Sequence, residues 1–202
     1  MIRTRYFQNT SAPQSDIEPA GFAAAISEPG SLLWVDFVGE PPETCEPILL
    51  QTFGFHPLAV DDALRESHVP KVDDWDDYLY IVLHDIGFQR ENAGIETFEL
   101  DVFLGRNYIV THHDSPISAL DRVWELSVRD ERSFKRGADH ILYRITDELA
   151  ADFMQVIEDM DDEIDKLESE VFKKQNASMV QRIFALKRAT LHLRRVMSPL
   201  RE

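Results

Sequence analysis

The chain has 202 residues, 44% hydrophobic and 10% aromatic, a composition that places it among proteins folded around a core and not among disordered ones. A formal charge of −16 argues against a nucleic-acid partner, since binding a phosphate backbone draws on lysine and arginine, and favours metal cations or basic surfaces. Cys45 is the single cysteine, which excludes an intrachain disulfide and an all-cysteine zinc cluster and fits a reducing compartment.

The opening MIRTRYFQNTSAPQSD lacks the apolar stretch of a secretory signal, and no run reaches the ~18–20 apolar residues that span a bilayer, so the expectation is a soluble chain. It ends at RRVMSPLRE directly after a helical pattern, which leaves open that it is a piece of something longer.

In chain order, SLLWVDFVG (31–39) reads as a strand closed by Gly39, and EPPETCEPILLQTFG as a proline-started helix closed by Gly54. HPLAVDDALRE gives a short helix with Pro57 in its first turn. VDDWDD (72–77) reads as a solvated turn leading into the strand YLYIVLHDI, and TFELDVFLG and RNYIVTHH form a hairpin around Gly105 and Asn107. SPISALDRVWELSVRDE starts a helix with Ser115 at the N-cap and Pro116 after it.

From Ala138 the period changes. Leu142, Ile145, Leu149, Phe153, Val156, Met160, Ile164, Leu167 and Val171 form one apolar stripe. Ser178 and Gln181 then stand in capping-box spacing before Val180, Ile183, Leu186, Leu193, Met197 and Leu200 resume the stripe. The expected fold class is α/β: an α/β/α sandwich with a mixed or antiparallel sheet (1–136), followed by a long antiparallel helical hairpin (137–202). The acidic helix of the hairpin covers about 138–174 and the basic helix about 178–200. Residues 147–170 carry eleven acids against Lys166, whereas 171–202 carry eight bases against Glu202, so the two helices attract through complementary flanks.

Chemistry-bearing patterns are sparse. Asp61 and Asp62 read first as a solvated acidic surface on a short helix; the alternative is a hard cation such as magnesium, which takes carboxylate oxygens and keeps several waters. Neighbours on a helix point about 100° apart, so each needs a partner from elsewhere. VDDWDD lacks the D-x-D-x-D-G frame of a calcium loop, and His112 and Asp114 in HHD share a strand face without amounting to a site. There is no G-x-S-x-G elbow or H-E-x-x-H helix, and Cys45 reads as packing, so the residues carry no enzyme signature.

Several strings together resemble the cytoplasmic domain of the CorA family of divalent-cation channels: GFHPLAVDDAL, VPKVDDWDDYLYIVL, ADHILYRITDELAADF, IEDMDDEIDKLESEVF and LKRATLHLRRVMSPLRE. The resemblance covers 31–202 in order. It implies a pentamer whose N-terminal α/β/α domains and acidic helices form a cytoplasmic funnel. A stalk helix and two membrane helices with a Gly-Met-Asn signature follow in the family and are missing here, so this chain would be a fragment at the cytoplasmic face of the cell membrane. The resemblance further implies that Asp62 faces a stalk carboxylate of a neighbouring subunit across a bound divalent ion, and that Asp61 and Asp147 contribute to a second, weaker ion site. The implied ions are Mg2+ or Co2+, weakly bound in the fragment. A zinc-transporting branch, with His84, His112 and His113 as candidates, is the first alternative, and a soluble acidic protein binding a basic partner is the second.

Overall fold

The computed structural model describes residues 1–8, 14–65, 69–129, 136–171 and 177–200. Runs rich in β-branched and aromatic residues pair into a seven-stranded sheet. The strands are β1 (Ile2–Gln8), β2 (Gln14–Ser15), β3 (Ser31–Val38), β4 (Lys71–Asp74), β5 (Tyr78–Gln89), β6 (Gly94–Gly105) and β7 (Tyr108–His113). Their order is β2-β1-β3-β7-β6-β5-β4, with β3 and β7 parallel and every other pair antiparallel. The sheet is therefore mixed, and its two faces follow from strand alternation.

One face carries Leu33, Val35, Tyr80, Val82, Phe103 and Val110. It is covered by α1 (Phe22–Ser27), α2 (Pro42–Pro47, continued by a π turn over Ile48–Thr52) and α3 (Pro57–Ala63). Cys45 is buried here, and burial pushes its thiol up to about 12, so it packs as a small apolar group. The other face carries Trp34, Ile81, Leu100, Val102 and Ile109 under α4 (Ser118–Arg129) and the first turns of α5 (Ala138–Val171). The arrangement is the expected α/β/α sandwich.

Ala138, Ile141, Ile145 and Leu149 pack in that second core, so α5 begins inside the sandwich before it leaves it. Beyond, Phe153, Val156 and Met160 meet Ala189 and Leu193 of α6 (Ala177–Leu200), and Leu167 meets Met179 and Leu186. As α5 advances α6 recedes, which makes the pair antiparallel. The β5–β6 hairpin, with both strands 12 residues long, reaches past the sheet, so Ile86 and Ala93 join these small clusters.

Local differences from the sequence reading have identifiable causes. Strand β1 and helix α1 are additions. In β1, Arg3 and Arg5 face α4, where Arg3 stacks over Trp124 at 4.5 Å and pairs with Asp36 at 2.5 Å. Helix α4 starts at Ser118, not at a Ser115 cap, because the Ser115 carbonyl accepts from His113 Nδ1 at 2.6 Å. Helix α6 starts at Ala177, which places Ser178 inside the first turn. Glu163 is buried and Ile164 exposed, and Val180 and Ile183 also face outward. The tail of the acidic helix, 172–174, lies outside the described residues.

Candidate metal site

Helix α3 is fixed at its start by three contacts. His56 is extended and accepts from Leu58 N–H through Nδ1 at 3.2 Å, while Pro57 supplies the preset backbone angle of the first turn. The His56 N–H donates to the Tyr78 hydroxyl at 2.9 Å, and its ring stacks on Trp75 at 4.2 Å. Ala59, Val60 and Ala63 bury the inner side of the helix, which leaves Leu58, Asp61 and Asp62 toward the outside.

The two carboxylates diverge, as the helical angle requires. Asp61 pairs with Arg65 one turn on, at 2.9 Å, and both side chains are exposed. Asp62 reaches the edge strand β4, where Lys71 Nζ lies 2.5 Å from its Oδ2 and 2.9 Å from Asp73 Oδ2. Register explains the meeting: Lys71 lies opposite Val82 and Asp73 opposite Tyr80, so both project onto the α3 face. The ammonium also rests 5.1 Å from the centre of the Tyr80 ring. Burial pulls the Lys71 pKa down, but the Asp62 and Asp73 carboxylates outweigh it and hold it above the ordinary lysine value. Half of VDDWDD is thus strand rather than turn, and only its second half, where Asp76 takes φ 62°, turns the chain.

Asp147 lies on α5, half-exposed, with Arg144 Nη1 3.7 Å away. Since α3 and α5 cover opposite faces of the sheet, one chain does not bring Asp61 or Asp62 together with Asp147. Among the described residues no three histidine, cysteine or acidic side chains are grouped to hold a metal ion. The donor set nevertheless fits a hard, water-rich cation: Asp62 presents a half-exposed carboxylate, and magnesium needs only one or two, with waters filling its octahedron.

The three histidines also separate. His84 and His112 face α3, with His84 Nε2 3.6 Å from Glu99 Oε2 and His112 Nδ1 3.6 Å from Asp101 Oδ2. His113, one residue on, faces α4 with its Nε2 3.3 Å from Asp36 Oδ1. Each imidazole has its own carboxylate, whose side chain is at most 6% exposed, and alternation on β7 keeps His113 away from the other two.

Comparison with known proteins places the fold first. The soluble domain of CorA from Methanocaldococcus jannaschii superposes with a TM-score of 0.78 over all of this chain and 76% of that one, at 19% identity. The ZntB cytoplasmic domain from Vibrio parahaemolyticus RIMD 2210633 gives 0.70 over 96% and 74%, at 13% identity. The architecture is therefore the one these two solved domains share, and these likenesses carry the fold alone.

Sequence then fixes the family. The family described as CorA-like Mg2+ transporter protein matches residues 29–202, and the chain belongs to it. It is 32% identical over 171 residues to the cobalt/magnesium transport protein CorA of Thermotoga maritima, covering 84% of this chain and 48% of that one. It is 31% identical over 169 residues to YfjQ of Bacillus subtilis strain 168, covering 84% and 51%. The chain spans about half the length of these curated relatives. No described helix is long and apolar enough to cross a membrane.

Proposed function

We propose that this chain is the cytoplasmic ion-sensing portion of a CorA-like transporter for Mg2+ or Co2+, and that it acts without catalysing a reaction. The observation that supports it most directly is the outward-facing end of α3, where Asp61 and Asp62 stand beside the exposed Leu58. Asp147 projects from the opposite side of the sandwich. Acids on opposite faces suit a head-to-tail ring, in which one subunit's α3 meets a different surface of the next. Repeated around a pentamer, such contacts set carboxylates against each other. Divalent ions held between them offset the repulsion and favour the closed, symmetric assembly; when the ions leave, the repulsion loosens it. The whole protein would lie at the cell membrane, with this part on its cytoplasmic side.

Sedimentation of the chain with and without magnesium tests this. The expected result is self-association promoted by millimolar magnesium and weakened by Asp62→Asn. An identical magnesium response in wild type and the variant would remove Asp62 from the site.

A further inference from the structure

In the arrangement around Asp62, the carboxylate assigned to the divalent ion already has a cation on it. Lys71 Nζ is 2.5 Å from Asp62 Oδ2, shares itself with Asp73 Oδ2 at 2.9 Å, and lies over the Tyr80 ring. The shelf beneath it is rigid, because Tyr80 is fully buried and its hydroxyl donates to Asp101 at 2.6 Å. The lysine side chain is less exposed than either carboxylate it serves. Its geometry differs from that of Arg65 on Asp61, where both partners project into solvent.

We propose that Lys71 is a resident competitor of the divalent ion: the sensor exchanges a metal ion for the Lys71 ammonium at Asp62, and does not alternate between an occupied and a bare carboxylate. This rests on the reading of Asp62 as an ion ligand. A divalent cation approaching Asp62 meets a positive charge already hydrogen-bonded to one oxygen, and must either push the ammonium away or bind beside it against repulsion. Asp73 supplies the place to go. With its second carboxylate and the Tyr80 ring retained, the ammonium can give up Asp62 without returning to bulk water, so exchange requires only a small swing of the lysine end.

Two consequences follow. The ammonium raises the ion concentration at which Asp62 fills, on the order of tenfold for a unit charge ~4–5 Å from a divalent ion in a solvent-accessible, salt-screened site. It also limits the repulsion exposed when the ion leaves, since Asp62 then regains a partner. Lys71 therefore tunes the set point of the sensor as well as the strength of its response.

The test is a magnesium titration of the 202-residue protein followed by amide NMR shifts at residues 58–65 and 71–74. It compares wild type with Lys71→Met, which keeps the stem over Tyr80 without the charge, Lys71→Arg, which keeps the charge, and Asp62→Asn. Melting in chelator verifies that each is folded, and Lys71→Gln replaces the methionine variant if that one is not. The expected result is a midpoint on the order of tenfold lower for Lys71→Met, little change for Lys71→Arg, and loss of the response with Asp62→Asn in either background. A midpoint in Lys71→Met equal to or above wild type, with Asp62→Asn still silencing the response, overturns the exchange alone. A response that survives Asp62→Asn, or no response in wild type and Lys71→Met alike, removes the ion site and the exchange together.

Discussion

The hydroxyl of Tyr80 donates to Asp101 Oδ1 at 2.6 Å across the β5–β6 pair, in the interior of the sheet's α3 face. Burial pushes the Asp101 carboxyl up to about 6, against the opposing pull of His112 and Tyr80. Asp85 is likewise raised to about 6 by burial and by Asp152. A carboxyl with a folded pKa above its unfolded value of ~3.9 holds its proton more tightly in the folded state. Its contribution is most favourable below that value and declines as pH rises through about 6. Asp101→Asn keeps an acceptor for Tyr80 and is expected to flatten the fall in melting temperature between pH 4 and 6. An unaltered profile would show that Asp101 does not titrate in that range.

The opposite face holds a second buried cluster with a different dependence. Burial raises the Asp36 pKa, but His113, Arg3 and Thr111 outweigh it and hold the carboxyl below its ordinary value. Burial lowers the His113 pKa, but Asp36 and the Ser115 carbonyl outweigh it and raise it. The Asp36 contribution is present above its unfolded pKa of ~3.9 and is lost as pH falls below that. The His113 contribution is complete below ~6.5 and is lost as pH rises through the elevated folded value. His113→Gln should remove the decline in melting temperature above pH 6.5 and lower stability at pH 5.5. A wild-type slope retained in the variant would assign that decline to another group.

These clusters mark where sequence reasoning reached and where it stopped. Strands β3, β5, β6 and β7 were legible because apolar and β-branched residues dominate them, and α5 because its stripe runs for many turns. Strand β1 was not, since Arg3 and Arg5 occupy its α4 face and become compatible with the core through Trp124, Asp121 and the buried Asp36, all distant in sequence. The apolar stripe likewise misplaced Ile164, because Arg182 from α6 makes Glu163 the inward residue. The residues drew notice to the Asp61–Asp62 pair, and only the family resemblance set Asp62 apart within it; its spacing to Lys71 carries no meaning until β4 is known to be a strand whose alternate residues face α3.

Two residues with positive φ separate backbone strain from packing. Asp76 has φ 62° and is exposed in the turn before β5, where the Asp74 side chain accepts from its backbone N–H at 3.0 Å. Glycine retains that bond and removes the strain, so Asp76→Gly should stabilise by about 0.5–1 kcal/mol in denaturant unfolding. Ala93 has φ 51° but is buried with Leu167, Met179 and Leu186. There the methyl's contacts offset the relief, and Ala93→Gly should be near neutral or destabilising. Equal gains at both positions would show that the Ala93 methyl contributes nothing to the packing of α6.

The join between α5 and α6 rests on small apolar clusters and on one arginine. Arg182 Nη2 lies 2.6 Å from Glu163 Oε1, and its Nη1 lies 2.7 Å from Glu170. Lys187, Arg188, Arg194 and Arg195 make no ion pair among the described residues, so the attraction expected between the helices is concentrated at Arg182. Glu163 is buried, and without Arg182 its one remaining cation among the described residues is Lys166 at 3.7 Å. Arg182→Met should therefore cost about 1–3 kcal/mol, discounted from a fully buried pair because the arginine is partly exposed. The loss should appear locally, since α6 has no share in the two cores of the sandwich. Hydrogen exchange is expected to accelerate across residues 179–193 and to stay at wild-type rates in β3, β7 and residues 100–105 of β6, which lie in the sandwich cores. Acceleration of the sheet to the same extent would mean that the helical pair and the sandwich unfold as one unit, and that Glu163 and Arg182 support the whole fold.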